Sequence, residues 1–305
     1  MLNNYIKFYF YGYLFAKNGV KIRKNNGYYS LTKNNKVIKI ALKHKIYFND
    51  LINEFEYYHS AVEPTLEDDK LVVDYTKPKL HTVRGYELHK IIFPSIPEPT
   101  VTAKQYLDFA KLDSSSVVLD LGAYSGLTSL IFDYEISKNN PCATGRVYSV
   151  EADIINLSCF IQNIQTYKDI TNRNIQYIFA AVSDKDGYQE FISEGAMGAN
   201  ANIYTSLRNG NKVKVPSVRL SSIAKRFNLN KIDFIKCDIE GAERYIFNDK
   251  EFFEKYSPKI IVECHGIGKY ATNDSVIDAL SKYGYKCKIA DTTIENYLPL
   301  IECVK

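Results

Sequence analysis

The spacing of hydrophobic residues changes character near residue 100. Beyond that point, short apolar runs alternate with turns and with stretches of helical spacing, which is typical of buried parallel strands joined by helices. We therefore predict an α/β domain with a doubly wound sheet over residues 96–305. Its strands are predicted at residues 117–120, 145–151, 175–182, 232–238, 259–264, 285–289 and 297–304. Two shorter strands, at residues 188–192 and 212–220, flank a loop over residues 195–202 with the composition of a mobile lid.

Residues 1–95 follow a different pattern and are predicted to form an α+β extension. A hairpin, a helix and a further strand are predicted there, at residues 28–42, 48–61 and 71–75. The hairpin turns at Asn34 and Asn35. A stiff, extended connection follows, and we place the domain boundary in it because it contains Pro94, Pro97 and Pro99.

The glycine turn after the first strand of the α/β domain favours one kind of cofactor. Residues 117–126 are VVLDLGAYSG, and helical spacing resumes at residue 127, so this is half of a βαβ unit. A dinucleotide site needs a second glycine where Tyr124 stands. Asp120 at the strand end is worth ~4 kcal/mol to a cation at ~4 Å with an effective dielectric of ~20, and it repels phosphate. S-adenosylmethionine, with two cations and no phosphate, therefore fits better than NAD; a plain turn at the start of a helix is the alternative.

A second carboxylate, Glu151, ends the strand predicted at residues 145–151. An acid at the end of the second strand accepts hydrogen bonds from the ribose hydroxyls of an adenosine. The usual separation from the glycine turn is ~20 residues, and the polar insertion at residues 137–141 accounts for the longer separation here. We therefore predict that Glu151 binds ribose.

Composition places the chain among globular proteins, with 46% hydrophobic and 24% charged residues. The six cysteines have no spacing that is typical of a zinc site or a C-x-x-C motif. Cys159, Cys237, Cys264 and Cys287 stand among apolar residues and are predicted to be buried thiols. Cysteines used in this way indicate a reduced, cytoplasmic setting.

The basic charge of the chain is concentrated at its N-terminal end. Residues 1–49 contain ten Lys or Arg and no acid, and removing those ten from the chain's 39 leaves 29 basic residues against 35 acidic ones. Residues 1–18 are also rich in Tyr and Phe. We expect them to dock on the catalytic domain or on a second copy in a homo-oligomer; peripheral contact of residues 1–49 with a membrane is the alternative. No recognition motif for nucleic acid accompanies them.

Five motifs follow one another between residues 99 and 265. They are residues 118–126 (VLDLGAYSG), 147–151 (VYSVE), 180–187 (AAVSDKDG), 232–243 (IDFIKCDIEGAE) and 260–265 (IIVECH). In this order they resemble the FkbM family of S-adenosylmethionine-dependent methyltransferases. The chain departs from the family in having Tyr124 where Asn is more common and in the long loop before its second strand. Residues 1–95 match no family that we recognise.

The resemblance implies a class I methyltransferase fold, Rossmann-like, with the last strand antiparallel. It also implies S-adenosylmethionine as cofactor and O-methylation of a small-molecule or glycan hydroxyl, on a sugar, a glycan or a polyketide. Asp120, Gly122 and Gly126 would hold the methionine part, Glu151 the ribose, and Ala181 with its neighbours the adenine. The full set of expected cofactor-binding residues is Asp120, Gly122, Tyr124, Ser125, Gly126, Glu151, Ala152, Ala181 and Asp238.

The acceptor hydroxyl needs a base or a metal, because an alcohol is a poor nucleophile at neutral pH. The carboxyl ends of the fourth and fifth strands gather the candidate catalytic residues, which are Asp238, Glu240, Glu263 and His265. With an ordinary pKa of ~6.5, His265 is the first candidate base, and Asp238 is the second. Asp238, Glu263 and His265 could instead hold a divalent cation, but no ligand spacing demands one, and we expect general-base catalysis without metal.

Two other functions remain open from the sequence. A catalytically inactive cofactor-binding module with an N-terminal interaction region is one; the acidic residues at the strand ends speak against it. A nicotinamide-dependent oxidoreductase is the other, and Tyr124 and Asp120 disfavour it. The identity of the acceptor is not written in these motifs.

Overall fold

The computed structural model of the protein describes residues 18–198, 211–267, 270–290 and 300–305. The aromatic segment at residues 1–17, residues 199–202 of the predicted lid and residues 297–299 of the last predicted strand lie outside these ranges. The chain divides into two compact units between Thr102 and Ala103. Within the described residues, no helix has the length and apolar character that crossing a membrane requires.

The first unit contains a five-stranded sheet in the order β1-β2-β3-β5-β4. Its strands are β1 (Lys21–Lys24), β2 (Tyr28–Lys33), β3 (Lys36–Ala41), β4 (Thr65–Glu67) and β5 (Lys70–Tyr75). The predicted hairpin is confirmed, since β2 and β3 pair antiparallel and Asn34 in the turn has a φ of 55°. The predicted strand at residues 71–75 is also confirmed, as β5, which lies parallel to β3.

The helix predicted at residues 48–61 is broken into two. A 3₁₀ helix (Leu42–Tyr47) leads into α1 (Phe48–Asn53) and α2 (Phe55–Ser60). Between them Glu54 has φ −112° and ψ 37°, which is not helical. No Gly or Pro marks this break in the sequence, so local propensity could not place it.

Strands β1 and β4 were not predicted, and neither were two further short strands in the first unit. They are β6 (Lys79–His81) and β7 (Ile91–Phe93), which pair antiparallel. The prolines that follow β7 are buried, as are Ser95 and Ile96 between them. The predicted connection is therefore packed chain rather than an exposed linker.

The second unit is built on a seven-stranded sheet in the order β10-β9-β8-β14-β15-β19-β18. Its elements are α3 (Thr100–Ala110, which crosses the division), β8 (Val117–Leu121), α4 (Leu127–Ser137), β9 (Arg146–Glu151), α5 (Ile154–Thr171), β10 (Gln176–Phe179), β11 (Ala181–Val182), β12 (Gly187–Ser193), β13 (Asn211–Val218), α6 (Leu220–Arg226), β14 (Phe234–Cys237), α7 (Glu243–Ile246), α8 (Lys250–Lys255), β15 (Lys259–Glu263), β16 (Gly266–Ile267), β17 (Tyr270–Ala271), α9 (Asn273–Ser281), β18 (Lys286–Ile289) and β19 (Leu300–Val304).

The strand order confirms the predicted α/β fold. Strands β8, β9, β10, β14 and β15 are parallel, whereas β19 runs antiparallel to β15 and β18. The central strands are buried on both faces because their sequences are almost wholly apolar. Most of their few polar residues lie at or near the ends, with Lys236 inside β14 as the exception, and the carboxyl ends all meet at one edge of the sheet.

The third predicted strand, at residues 175–182, is not one strand. Residues 176–179 form β10 on the main sheet, but β11 leaves it and joins β13 and β12 in a separate three-stranded sheet. The prediction was wrong because the apolar run is continuous. Only the competing partner β13 shows where the chain changes sheets.

One cysteine prediction was also wrong. Cys287 is not a thiol but forms a disulfide with Cys303, which faces it across the β18–β19 ladder at a Cα–Cα distance of 4.1 Å. Cys159, Cys237 and Cys264 are buried free thiols, as predicted. A separation of 16 residues carries no local signal, so only the strand pairing brings the two sulfurs together. Because disulfides are typical of oxidising compartments, the cysteines do not support the predicted cytoplasmic setting.

Candidate active site

Three neighbouring strands bring carboxylates to the same edge of the main sheet. Asp120 lies near the end of β8, Asp238 directly follows β14, and Glu263 is the last residue of β15. Cys237 is in register with Leu121 on one side and Val262 on the other. His265 follows two residues after Glu263. The parallel pairing of β8, β14 and β15 therefore brings these residues to one edge of the sheet, where the sequence predicted them.

A lysine that the sequence analysis missed lies between two of these carboxylates. Lys236 is 2% exposed, and its Nζ lies 3.6 Å from Asp120 Oδ1 and 3.4 Å from Asp238 Oδ2. It also donates a hydrogen bond of 2.8 Å to the Gly122 carbonyl. Its only sequence signal is a charged residue inside an otherwise apolar strand. Lys236 thus partly neutralises the charge of Asp120. The attraction of Asp120 for a cationic ligand is therefore weaker than the sequence predicted from Asp120 alone.

Asp120 is fully buried and its two oxygens differ. Oδ2 accepts a hydrogen bond of 2.5 Å from the Ser129 hydroxyl. No donor among the described residues makes a hydrogen bond to Oδ1, because 3.6 Å to Lys236 is an ion-pair distance. Burial raises the pKa of Asp120, and the Lys236 ammonium and the Ser129 hydroxyl oppose that rise. Oδ1 is therefore an acceptor that a cationic donor could satisfy.

The two glycines of the turn are required by close packing. Gly122 has a φ of 78°, and a Cβ there would lie 1.8 Å from the Asp238 carbonyl oxygen. Gly126 has a φ of 83°, and its Cβ would lie 2.6 Å from the Phe160 ring. The turn is thereby pressed onto the end of β14 and onto α5. Close packing therefore explains both glycines without a ligand. Their contact with the methionine part of S-adenosylmethionine remains a prediction.

The other two predicted residues of the turn are also buried. Tyr124 has a φ of 50°, an uncommon left-handed conformation for a bulky residue, and its side chain is not exposed at the loop surface. Ser125 is held through its carbonyl, which accepts a hydrogen bond of 2.8 Å from the Asn163 side chain. The turn is thus fixed by backbone contacts.

Glu151 is held by backbone amides around its carboxylate. Oε1 accepts from Ala152 N at 3.0 Å and Asp153 N at 2.7 Å, and Oε2 accepts from Tyr124 N at 2.8 Å. Burial raises the pKa of Glu151 to about 7, against the lowering effect of these hydrogen bonds. Because Oε1 already has two donors, the acceptor capacity for a ribose lies mainly on Oε2.

Next to Glu151, hydrogen bonds with Asp153 and Asn156 hold residues 194–196, and the sequence did not predict them. Asp153 caps α5 by accepting from Ile155 N and Asn156 N, and its Oδ2 accepts from Glu194 N at 2.8 Å and Gly195 N at 3.0 Å. The Asn156 side chain donates to the Ala196 carbonyl at 3.3 Å. The start of the predicted lid is therefore fixed beside the Glu151 carboxylate. Its sequence signal, an Asp before a helix, is common to many helices.

The two alanines predicted to lie near adenine meet in one small apolar cluster. Ala152 and Ala181 are buried together with Phe191 and Val215, and Phe179 and Val213 pack against them. Strand β11 leaves the main sheet here, which brings Ala181 beside the end of β9. The structure therefore brings Ala152 and Ala181 together, next to Glu151.

His265 is surrounded by four carboxylates. Nδ1 lies 3.0 Å from Glu243 Oε1, and Nε2 lies 3.5 Å from Glu240 Oε1, 3.7 Å from Asp238 Oδ1 and 3.9 Å from Glu263 Oε1. Burial lowers the pKa of His265, but Glu240, Glu243 and Asp238 outweigh it and raise the pKa well above its usual value. The predicted ordinary pKa was therefore wrong. Without another cation, His265 is an imidazolium and holds no free lone pair to accept a proton.

The turn after β14 positions two of these carboxylates. Glu240 and Gly241 have φ values of 56° and 102°, so the chain reverses sharply before α7. Glu243 is buried, and its Oε1 also accepts from Ile239 N and Gly241 N. Glu243 was missed as a site residue although it lies within the IDFIKCDIEGAE motif, since its contact with His265 appears only in three dimensions.

The sheet order and the antiparallel last strand, β19, are those of the Rossmann-like fold of class I methyltransferases. A family model for the methyltransferase FkbM domain matches residues 120–287, which is more than half of the chain. The protein therefore belongs to the FkbM methyltransferase family, as its motifs predicted.

Three solved methyltransferase structures show a weak similarity to the chain. They are a precorrin-6Y C5,15-methyltransferase from Geobacter metallireducens (TM-score 0.40, 15% identity, 68% of this chain and 90% of that one), an O-methyltransferase from Bacillus cereus in complex with SAH (0.40, 14%, 68% and 81%), and a SAM-dependent methyltransferase from Aquifex aeolicus (0.36, 11%, 67% and 89%). At these scores the similarity carries no argument about function. No curated protein matches the chain.

Proposed function

We propose that the protein transfers a methyl group from S-adenosylmethionine to a hydroxyl of a sugar, glycan or related natural product. The observation that carries this proposal is the set of polar side chains around His265, at the carboxyl ends of β14 and β15. Carboxylates and an imidazole suit an acceptor rich in hydroxyl groups, because they are its natural hydrogen-bond partners. Family membership supports methyl transfer, and the polar site supports oxygen as the methylated atom.

The residues of the glycine turn fit S-adenosylmethionine. The unsatisfied Asp120 Oδ1 suits a cationic donor, and Glu151 Oε2 retains acceptor capacity for a ribose hydroxyl. Ala152 and Ala181 offer an apolar surface beside it. Asp120, Asp238 and Lys236 together carry one net negative charge, which attracts a cationic ligand and disfavours a pyrophosphate.

The side chains of the site have distinct tasks in this reaction. S-adenosylmethionine, when bound, supplies a methyl group activated by a sulfonium sulfur. The acceptor hydroxyl gives its proton to a carboxylate as its oxygen forms the new C–O bond, and the electron pair of the broken C–S bond stays on sulfur. We assign the proton to Glu240 or Asp238 rather than to His265, which neighbouring carboxylates hold protonated. His265 keeps these carboxylates together.

Calorimetry with two ligands tests the cofactor. S-adenosylhomocysteine should bind with a stoichiometry of about one per chain, and NAD should give no heat of binding, because the turn offers no second glycine for a pyrophosphate. Tight NAD binding without binding of the thioether would support the oxidoreductase instead. Thioether binding without methyl transfer to any acceptor would support the inactive binding module.

The chemistry of the product tests the methylated atom. Methyl-labelled S-adenosylmethionine is incubated with a panel of glycans and sugar nucleotides, and the labelled product is treated with hot hydriodic acid. An O-methyl ether releases the label as volatile methyl iodide and survives mild base. A label that resists hydriodic acid would indicate C-methylation and contradict the proposal.

The raised pKa of Glu151 predicts a pH dependence of stability. The folded pKa of about 7 lies above the ordinary value of 4.5, so protonation of Glu151 favours the folded state. Its contribution is fully present below about pH 4.5 and is lost as the pH rises through about 7. Urea unfolding at a series of pH values should show this loss in the native protein and not in Glu151→Gln. Equal pH profiles for the two proteins would contradict the assignment.

The role of the basic N-terminal residues is a separate proposal. Lys21, Arg23 and Lys24 are exposed on strand β1, which supports contact of residues 1–49 with an anionic acceptor or an anionic membrane surface. The alternative that the sequence predicts is docking of the N-terminal segment on the catalytic domain or on a second copy in a homo-oligomer. A cytoplasmic location remains a prediction from the sequence.

A further inference from the structure

Three side chains point their ligand atoms toward one another at the edge of the sheet. Asp238, Glu263 and His265 each offer one such atom, and these atoms all lie within 4.8 Å of one another. From His265 Nε2 the distances are 3.7 Å to Asp238 Oδ1 and 3.9 Å to Glu263 Oε1. Neighbouring ligands of an octahedral ion with bonds of ~2.1 Å lie ~3 Å apart. Small inward rotations would therefore complete the coordination.

Each of the three side chains is fixed from behind by a different residue. Asp238 Oδ2 faces Lys236 Nζ at 3.4 Å, and Glu263 Oε2 accepts a hydrogen bond of 3.3 Å from the Tyr106 hydroxyl. His265 Nδ1 lies 3.0 Å from Glu243 Oε1. Outer partners of this kind orient metal ligands, and a carboxylate on the far nitrogen of a histidine is their commonest form. The three anchors come from α3, β14 and α7, outside the ligand set.

The tautomer of His265 also follows from its anchor. Glu243 Oε1 already accepts from two backbone amides, so it is an acceptor for the imidazole as well, and Nδ1 carries the proton. Without a metal Nε2 also carries a proton; a divalent cation in the site would displace that proton, and the Nε2 lone pair would then face the carboxylate oxygens.

We propose that Asp238, Glu263 and His265 bind a divalent cation of the magnesium or manganese class. Carboxylates with one imidazole suit such an ion better than a thiolate-preferring metal. Three protein ligands leave about three positions of an octahedron for oxygen atoms. We further infer that hydroxyl oxygens of the acceptor take these positions, and this part of the inference rests on the proposed function. An acceptor with two neighbouring hydroxyls, as in a sugar, would occupy two of them.

The cation answers a difficulty of the carboxylate base. A carboxylate with a pKa near ~4 is far too weak to take a proton from a free alcohol. Coordination to a divalent ion lowers the pKa of a bound hydroxyl by several units, so that Glu240, beside His265, can accept the proton. The new C–O bond then forms on the same oxygen. The preference for a metal-free base, which the sequence favoured, is thereby reversed.

Manganese binding to the full-length protein tests the site without any acceptor. After treatment with EDTA and dialysis, titration with MnCl₂ followed by electron paramagnetic resonance should show about one bound ion per chain. Glu263→Gln and His265→Gln should weaken binding by at least ~10-fold, and Tyr106→Phe, which removes only an outer partner, by ~10- to 100-fold. Circular dichroism and S-adenosylhomocysteine binding establish that each variant is folded.

Matched controls are available on the surface. Glu254→Gln removes an exposed carboxylate on α8, and His89→Ala removes a histidine of the first unit; both should bind manganese like the native chain. Absence of a bound ion in the native protein would overturn the proposal, as would binding that survives both ligand substitutions. Manganese binding without S-adenosylhomocysteine binding would support the site and contradict the proposed function. Methyl transfer that is unaffected by EDTA would overturn the role in acceptor activation.

Discussion

Lys236→Met is expected to lower the free energy of unfolding by ~3–5 kcal/mol, the range found when one partner of a buried ion pair is removed. Lys236 is buried between Asp120 and Asp238 and donates to the Gly122 carbonyl. Methionine fills a similar volume but leaves two carboxylates without their cation. Urea denaturation of the native and variant proteins measures the difference.

A double substitution separates the charge from the packing. Asp120→Asn in the Lys236→Met background should recover part of the loss, with a coupling energy of ~0.5–3 kcal/mol. The control is Lys231→Met, which breaks an exposed pair with Asp233 and should change stability by less than ~1 kcal/mol. Additive effects of Lys236→Met and Asp120→Asn would show that the two side chains do not form a stabilising pair.

Gly122→Ala is expected to cost ~3–5 kcal/mol of unfolding free energy and to abolish S-adenosylhomocysteine binding by any protein that still folds. The new Cβ would meet the Asp238 carbonyl oxygen at 1.8 Å. Backbone oxygen cannot rotate away, so the turn or the end of β14 must shift. A left-handed φ of 78° adds ~1–2 kcal/mol for any residue with a Cβ. Urea unfolding and calorimetry measure the two effects.

Gly284→Ala provides a matched control in the same unit. Gly284 has a similar φ of 83°, but its Cβ would meet only the end of the Lys305 side chain at 4.0 Å. Its substitution should therefore cost the conformational ~1–2 kcal/mol alone and leave ligand binding unchanged. Equal losses for the two substitutions would show that close packing on β14 is not what requires Gly122.

The sequence located the edge of the sheet correctly because its signal there is local. Apolar runs that end in Asp120, Glu151, Asp238 and Glu263 mark buried strands, and parallel strands present their carboxyl ends on one side. Short motifs also sufficed to place the chain in its family. Neither result needed contacts between distant residues.

The sequence did not predict which chemical state these residues have. An isolated histidine has a pKa of ~6.5, so His265 was expected to be a base. Its pKa is instead set by carboxylates that approach from two strand ends and a turn. Likewise, Lys236 in its own strand is only an interruption of an apolar run, and Asp120 becomes its partner through the register of β8 and β14.

By itself, then, the sequence determined the fold class, the family and the residues at the edge, since each depends on patterns within one segment. Tertiary structure alone decided the partners of those residues: Lys236 for Asp120, Glu243 for His265, Tyr106 for Glu263, and Cys303 for Cys287. It also decided that β11 leaves the main sheet for β13. The physical reason is that charge state, metal-binding geometry and strand pairing depend on distances between segments, which no spacing along the chain specifies.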